Sequence, residues 1–362
     1  MNRIRLPRSV LLGPVMSLLL SYSLSAWQAT SSMNNGQYFN SRIAFIQANA
    51  STPGGDVYTM NPDGSDVRQL TNLGANNGAF WENWSPDGRQ IVFVEFPNSP
   101  GQLWLMRADG SGKHLLLSEA DYGEYAPSFS PDGVWVIFTR CQNVSNGNGC
   151  AIYRIRTDDS GLTPLTDFQL EVNDWEPVYS PDGATIAFES FSRDGLIAAI
   201  WLMNADGSDL HALTPPELSA VNPHWSPDGE RVAFRSHCCN PQNNDIWVIN
   251  RDGSGLHRLT GSASSDLDIP VAYYNEAPSW SPHGHAIAFD QYDPKTNISA
   301  LFIIDADGSR RTQLMKFSAA RPRIADRARM GDQHRKRRHH GPREVEENGV
   351  WPRWSPELQN NF

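Results

Sequence analysis

Apolar residues in this chain gather into short runs, each closed by a turn rich in Gly, Pro, Ser or Asp. Runs such as IVFVEF, VWVIF and TIAF are β-branched and aromatic, a composition that favours strands. Two turn sequences separate them. The first reads WSPDG, FSPDG, YSPDG, WSPDG and WSPHG, with its serine at Ser85, Ser130, Ser180, Ser226 and Ser281; a truncated copy, WSPEL, starts at Trp354. The second reads NPDGSD, RADGSG, NADGSD, NRDGSG and DADGSR, with a weakened copy, TDDSG, at 157. Ser, Pro, Asp and Gly in that order match the positions of a type I turn, and DGS supplies a second tight turn where Gly tolerates positive φ.

The two signatures alternate at 45 to 55 residues, so one supersecondary unit is repeated. In the second copy the strand-like runs are YAPSF (125–129), VWVIFTR (134–140), AIYRI (151–155) and LTPLT (162–166). The run after the Ser-Pro turn occurs six times, at Ile43, Ile91, Val136, Ile186, Val232 and Ile287. The run before it occurs five times internally and once at the far end, as WPRW (351–354). A chain that starts on its second strand and ends on a first strand predicts an all-β ring. The expectation is a six-bladed β-propeller of four-stranded blades over 41–356, closed by the C-terminal strand joining the N-terminal blade.

The pairing of WSPDG…IAF with IWLMNADGSDLHALT resembles the TolB-like, WD-repeat-like (PD-repeat) propeller family. The resemblance covers about 41–315 and 351–356, and it implies a six-bladed propeller with protein-binding work in the cell envelope. Related propellers precede the hydrolase domain of prolyl-oligopeptidase-type peptidases. This sequence shows neither such a hydrolase domain nor the extra α/β domain that precedes the propeller in TolB.

In an up-and-down blade, alternate connections lie at opposite ends. The two short turns then share one end, and the longer, mutually unlike connections share the other: 48–55, 141–150, 237–246 and 261–276. Uniform turns suit a scaffold, and dissimilar loops suit a recognition surface. Residues at the start of the innermost strand would sit at the channel mouth on that end. They are Glu82, Glu124, Asp174, Glu176, Asn222, Asn275 and Glu276, an acidic ring able to hold a cation or a basic side chain. Phe80, Trp81, Tyr125, Trp175, Tyr273 and Tyr274 stand beside them as interface anchors. The same residues also fit a bland role as packing along the inner seam.

Charge sharpens this reading. Residues 31–315 hold 34 acids against 16 bases, which disfavours nucleic acid as a partner and leaves cations or basic proteins. An acid excess also serves solubility alone. Arg3, Arg5 and Arg8 precede an apolar run, Val10 to Leu20, and then small residues, so 1–30 reads as an export signal, with a membrane anchor as the alternative. A periplasmic or secreted monomer is expected. Four cysteines fit an oxidising compartment; Cys141 and Cys150 flank a loop able to pair them, while the pairing of Cys238 and Cys239 stays open. A basic insertion, 316–350, with HRKRRHH at 334–340, reads either as a disordered arm for an anionic surface or as a solvated segment without a role.

Recognisable catalytic signatures are missing: the sequence has no G-x-S-x-G, H-E-x-x-H, C-x-x-C or Walker loop. The DGSD strings resemble pieces of calcium loops but lack the terminal bidentate Glu, so a hairpin turn is the expectation and no cofactor is assigned. His114, His211 and His257 each follow a DGS-type turn, which spreads them over different blades, and His237 beside two cysteines lacks a fourth zinc ligand. These features favour a non-catalytic propeller binding a protein or envelope ligand. The rivals are a lyase or hydrolase on peptide or carbohydrate, with Glu124 and Glu176 as its first suspects, and an accessory subunit of a separate peptidase.

Overall fold

The computed structural model describes residues 42–318, apart from 50–51, 61–65, 75–76, 98–99, 143–148, 170–171, 192, 194–197, 237–243, 262–273, 282, 294–295 and 297. Regular structure among them is strand, apart from 3-10 conformation at Arg193 and at Pro216–Leu218. The strands form consecutive antiparallel meanders. The first is β1 (Ile43–Asn49), β2 (Thr52–Met60) and β3 (Arg68–Gln69). Next come β4 (Ala79–Trp84), β5 (Gln90–Glu95), β6 (Gln102–Arg107) and β7 (His114–Leu117). The third is β8 (Tyr122–Phe129), β9 (Trp135–Gln142), β10 (Cys150–Arg156) and β11 (Thr163–Pro164). The fourth is β12 (Asn173–Tyr179), β13 (Thr185–Phe191), β14 (Ala199–Asn204) and β15 (His211–Ala212). The last two are β16 (Ala220–Trp225), β17 (Arg231–Ser236), β18 (Asp245–Asn250) and β19 (His257–Arg258), then β20 (Tyr274–Trp280), β21 (Ala286–Asp293), β22 (Ile298–Asp305) and β23 (Thr312–Ser318).

The all-β propeller stands, but the expected set of six separate four-stranded blades does not. Among the described residues four sheets have four or more strands, and the fifth, β1–β2–β3, has three. The strand proposed to complete that first sheet, 351–354, lies outside the described residues. The strands β8 to β15 run together as one eight-stranded sheet, because Cys150 of β10 pairs in parallel with Asn173 of β12. The reason is a contact repeated along the chain: the innermost strand of one meander starts beside the third strand of the meander before it. Elsewhere that contact is a backbone hydrogen bond, from Glu124 N to Gly101 O (3.1 Å), Ala220 N to Ala198 O (3.3 Å) and Asn275 N to Asn244 O (3.2 Å). Between Cys150 and Val172 O, at 3.1 Å, it grows into strand pairing.

The turn chemistry explains why these positions fold alike. Ser180 Oγ donates to Asp182 Oδ1 at 2.5 Å, Thr185 N donates to Ser180 Oγ at 3.0 Å, and Ala184 N donates to Asp182 Oδ1 at 2.9 Å. The Ser180 hydroxyl and the Ala184 amide, helped by Arg251, hold the Asp182 carboxyl down to about 2. Gly183 takes φ 70°, which an L side chain rarely adopts. A second device is also repeated: Thr71, Thr166, Thr214 and Thr260 accept, through Oγ1, the N–H of Val57, Ile152, Ile200 and Ile246 at 2.8–2.9 Å. It ties the short outer strand to the strand beside it.

Neighbouring turns touch. A Cβ added to Gly133, Gly183, Gly229 or Gly284 would lie 3.6–3.7 Å from the proline ring of the preceding Ser-Pro turn. Arg251, in a DGS-type turn, reaches Asp182 of a Ser-Pro turn at 3.0 Å. Both short-turn classes therefore occupy one end of the propeller; most of the longer connections lie outside the described residues. The core lies between successive meanders. Phe45, Phe93, Phe138, Phe188, Phe234 and Phe289 recur at one place in the second strand and have no exposed surface. Phe138 packs with Val92, Val94, Leu103 and Leu105 of the preceding meander, and Phe188 with Ile137 and Ile152. Each ring removed from water stabilises by about 1.5–3 kcal/mol.

Candidate binding site at the central cavity

Every innermost strand among the described residues carries a bulge. Register slips between Phe80 and Asn83, Tyr125 and Ser128, Trp175 and Val178, Val221 and His224, and Glu276 and Ser279. The residue at the slip has positive φ: Trp81 at 53°, Ala126 at 47°, Glu176 at 51°, Asn222 at 57° and Ala277 at 51°. Four of the five precede a proline (Pro127, Pro177, Pro223, Pro278). Bulges of this kind re-aim side chains, and positive φ in non-glycine residues costs about 1–3 kcal/mol each. Here all five turn inward and wall a cavity of about 30 Å³, completed by the prolines, Val178 and His224.

Backbone and side chains of the preceding meander pin the bulges. Glu176 N donates to Thr139 Oγ1 at 3.2 Å, and Asn222 N donates to Glu189 Oε2 at 2.7 Å. Inside the cavity Asn222 Nδ2 donates to Glu176 Oε2. Asn222 Oδ1 is buried and has no hydrogen-bond donor among the described residues, an arrangement that costs about 1–3 kcal/mol. His224 Nδ1 lies 3.2 Å from the Trp225 carbonyl.

The structure thus gathers Trp81, Glu176 and Asn222 and turns other expected ring members elsewhere. Glu124 has no exposed surface and lies 3.7 Å from Arg140 Nε. Burial pushes its carboxyl up to about 8, against the opposing pull of Arg140. Asp174, also fully buried, binds Arg193 at 2.5 Å and Ser190 at 2.6 Å. Asn275 accepts from Gln291 and donates to the Asn244 carbonyl. Glu82 and Glu276 are buried as well. These residues pack the seams between meanders, and they do not line the cavity.

Rings mark the mouth on the same end. Phe96 meets Phe80 at 5.1 Å and Trp81 at 6.0 Å; Tyr125 meets Trp81 and Phe96 at 5.9 Å and Trp175 at 5.1 Å. Trp81, Phe96 and Trp175 stay half-buried, so one aromatic surface spans three meanders. Tyr274 stands apart, 6.1 Å from Tyr292, and Tyr273 lies outside the described residues. Sequence reasoning missed Phe96, whose only signal was its place at the end of IVFVEF. It also missed the bulges, which the recurring proline three residues before the turn serine could have revealed.

The Cys141–Cys150 disulfide is present, and Cys238 and Cys239 lie outside the described residues. His114, His211 and His257 occupy β7, β15 and β19, on three different meanders. Among the described residues no group of three His, Cys, Asp or Glu side chains converges as a metal site.

A family model described as the TolB beta propeller domain matches residues 33–323. The chain belongs to this TolB propeller family. It is 31 % identical over 169 residues to the Tol-Pal system protein TolB of Anaeromyxobacter dehalogenans, covering 46 % of this chain and 37 % of that protein. It is 29 % identical over 163 residues to an uncharacterized protein of Agrobacterium fabrum, covering 43 % of this chain and 52 % of that one. These matches span about half or less of the relatives' length. Among solved structures, TolB from Acinetobacter baumannii superimposes with a TM-score of 0.60 at 22 % identity, over 78 % of this chain and 66 % of that one. An oligogalacturonate lyase in complex with manganese superimposes at 0.53 with 13 % identity, over 77 % and 74 %. At such identities the likeness is one of fold.

Proposed function

We propose that this TolB-family propeller is an exported, non-catalytic binding protein that works as a monomer in the periplasm or outside the cell. It recognises a protein or envelope ligand with the end that carries its unlike connections. In this reading the eight-stranded sheet counts as two blades, 351–354 completes the first sheet, and the ring has six blades. The observation that carries the proposal is an aromatic surface set apart from the packed short turns. Short turns pack against one another at one end, and half-buried rings from three meanders gather beside the cavity among the bulges. Aromatic side chains that keep exposed surface are the usual anchors of protein interfaces. The name of the Anaeromyxobacter relative, a Tol-Pal system protein, supports envelope work.

The enzymatic reading finds less support. Its paired carboxylates were Glu124 and Glu176, and Glu124 has no exposed surface with which to touch a substrate. A direct test is crosslinked capture from native envelope extracts by the intact protein, by Trp175→Ala with Phe96→Ala, and by Asp252→Ala at the short-turn end. Loss of the captured protein with the aromatic pair alone is expected. Capture that survives the aromatic pair, or that depends on Asp252, would refute the assignment of the face.

A further inference from the structure

We infer that the cavity among the five bulges is an anchor site for one lysine side chain of a protein partner. Its ammonium would sit between Glu176, the Asn222 side-chain carbonyl and the indole of Trp81. The inference rests on the recognition face proposed above and specifies the chemistry that face selects.

The decisive group is Asn222. It is 8 % exposed, its Nδ2 is committed to Glu176, and its Oδ1 has no donor. Together with the Glu176 carboxyl, this makes a small chamber offering acceptors. Pro177, Pro223 and Pro278 in the wall have no N–H to give. An ammonium brings three donors and no acceptor, and so answers what the chamber lacks. Trp81, half-buried in the same wall, presents an indole, the aromatic that best attracts a cation.

Size narrows the choice. The cavity offers about 30 Å³, more than the roughly 10–15 Å³ that one water needs by the same measure, so it has room for a compact ammonium. The side-chain oxygens of Glu176, Asn222 and Ser128 alone fall short of the six to eight oxygens that a calcium ion takes. The acid excess over 31–315, 34 against 16 bases, draws a basic partner toward the mouth before contact.

The test uses the full chain and two probes, Nα-acetyl-lysine N-methylamide and its uncharged counterpart, Nα-acetyl-norleucine N-methylamide, followed by the shift of the Trp81 indole N–H in NMR. Saturable binding of the lysine probe alone is expected. Glu176→Gln and Trp81→Leu should each weaken it, about tenfold for the loss of charge. No saturable lysine binding, equal binding of norleucine, or binding undiminished in Glu176→Gln would overturn the inference. The comparison of the two probes is made on the unaltered protein, so a variant that misfolds cannot shelter the idea. Capture that persists without lysine binding would sink this anchor and leave the recognition face standing; lysine binding without capture would do the reverse.

Discussion

Replacing Glu124 with glutamine should remove a pH dependence from the stability of this protein. Glu124 is fully buried on β8, at the seam with the preceding meander; among the described residues neither carboxyl oxygen has a hydrogen-bond donor, and Arg140 Nε stands off at 3.7 Å. Arg140 gives its own hydrogen-bonded contact to Glu119, at 2.6 Å. Burial therefore dominates and raises the carboxyl from 4.5 to about 8. The folded chain then holds this proton more tightly than the unfolded chain. The associated stability is fully present below about pH 4.5 and is lost as pH rises through about 8. Within that window the slope is about 1.4 kcal/mol per pH unit, so moving from about pH 5.5 to about pH 7.5 costs about 3 kcal/mol. Glutamine keeps the shape of the neutral acid and cannot ionise. Urea unfolding of both proteins at the two pH values isolates the effect, because every other titrating group is shared. The parent should lose about 3 kcal/mol more than Glu124→Gln. Parallel losses would mean that Glu124 ionises freely in the fold, and the reasoning from burial would fail.

Phe138→Ala should cost about 3–5 kcal/mol in urea unfolding, since the ring has no exposed surface and packs against Val92, Val94, Leu103 and Leu105 across a seam; a loss under about 1 kcal/mol would contradict seam packing as the source of stability. Gly101→Ala should lower stability by about 2–3 kcal/mol, because its Cβ would collide with the Glu124 carbonyl. An unchanged thermal midpoint would show that the seam yields easily.

Much of the architecture was legible because its causes are local. The bonds that fix each Ser-Pro-Asp-Gly turn span two to five residues, so the same four residue types build the same corner wherever they occur. The Cys141–Cys150 pair spans nine positions, few enough for sequence to suggest it. Phe96 was not legible, since nothing local distinguishes a strand-end phenylalanine that joins three other rings from one that does not.

The sequence by itself determined the strands, the turns and their repetition. Tertiary structure alone decided which side chains face the cavity. A strand alternates its faces with period two, so one inserted residue reverses every assignment beyond it. The bulges at Trp81, Glu176 and Asn222 make that reversal, aiming these side chains inward, while Glu124 and Asp174, before the bulge, point into the seam toward Arg140 and Arg193. Those arginines lie 16 and 19 residues further along the chain, so only the folded register brings them to the acids they meet.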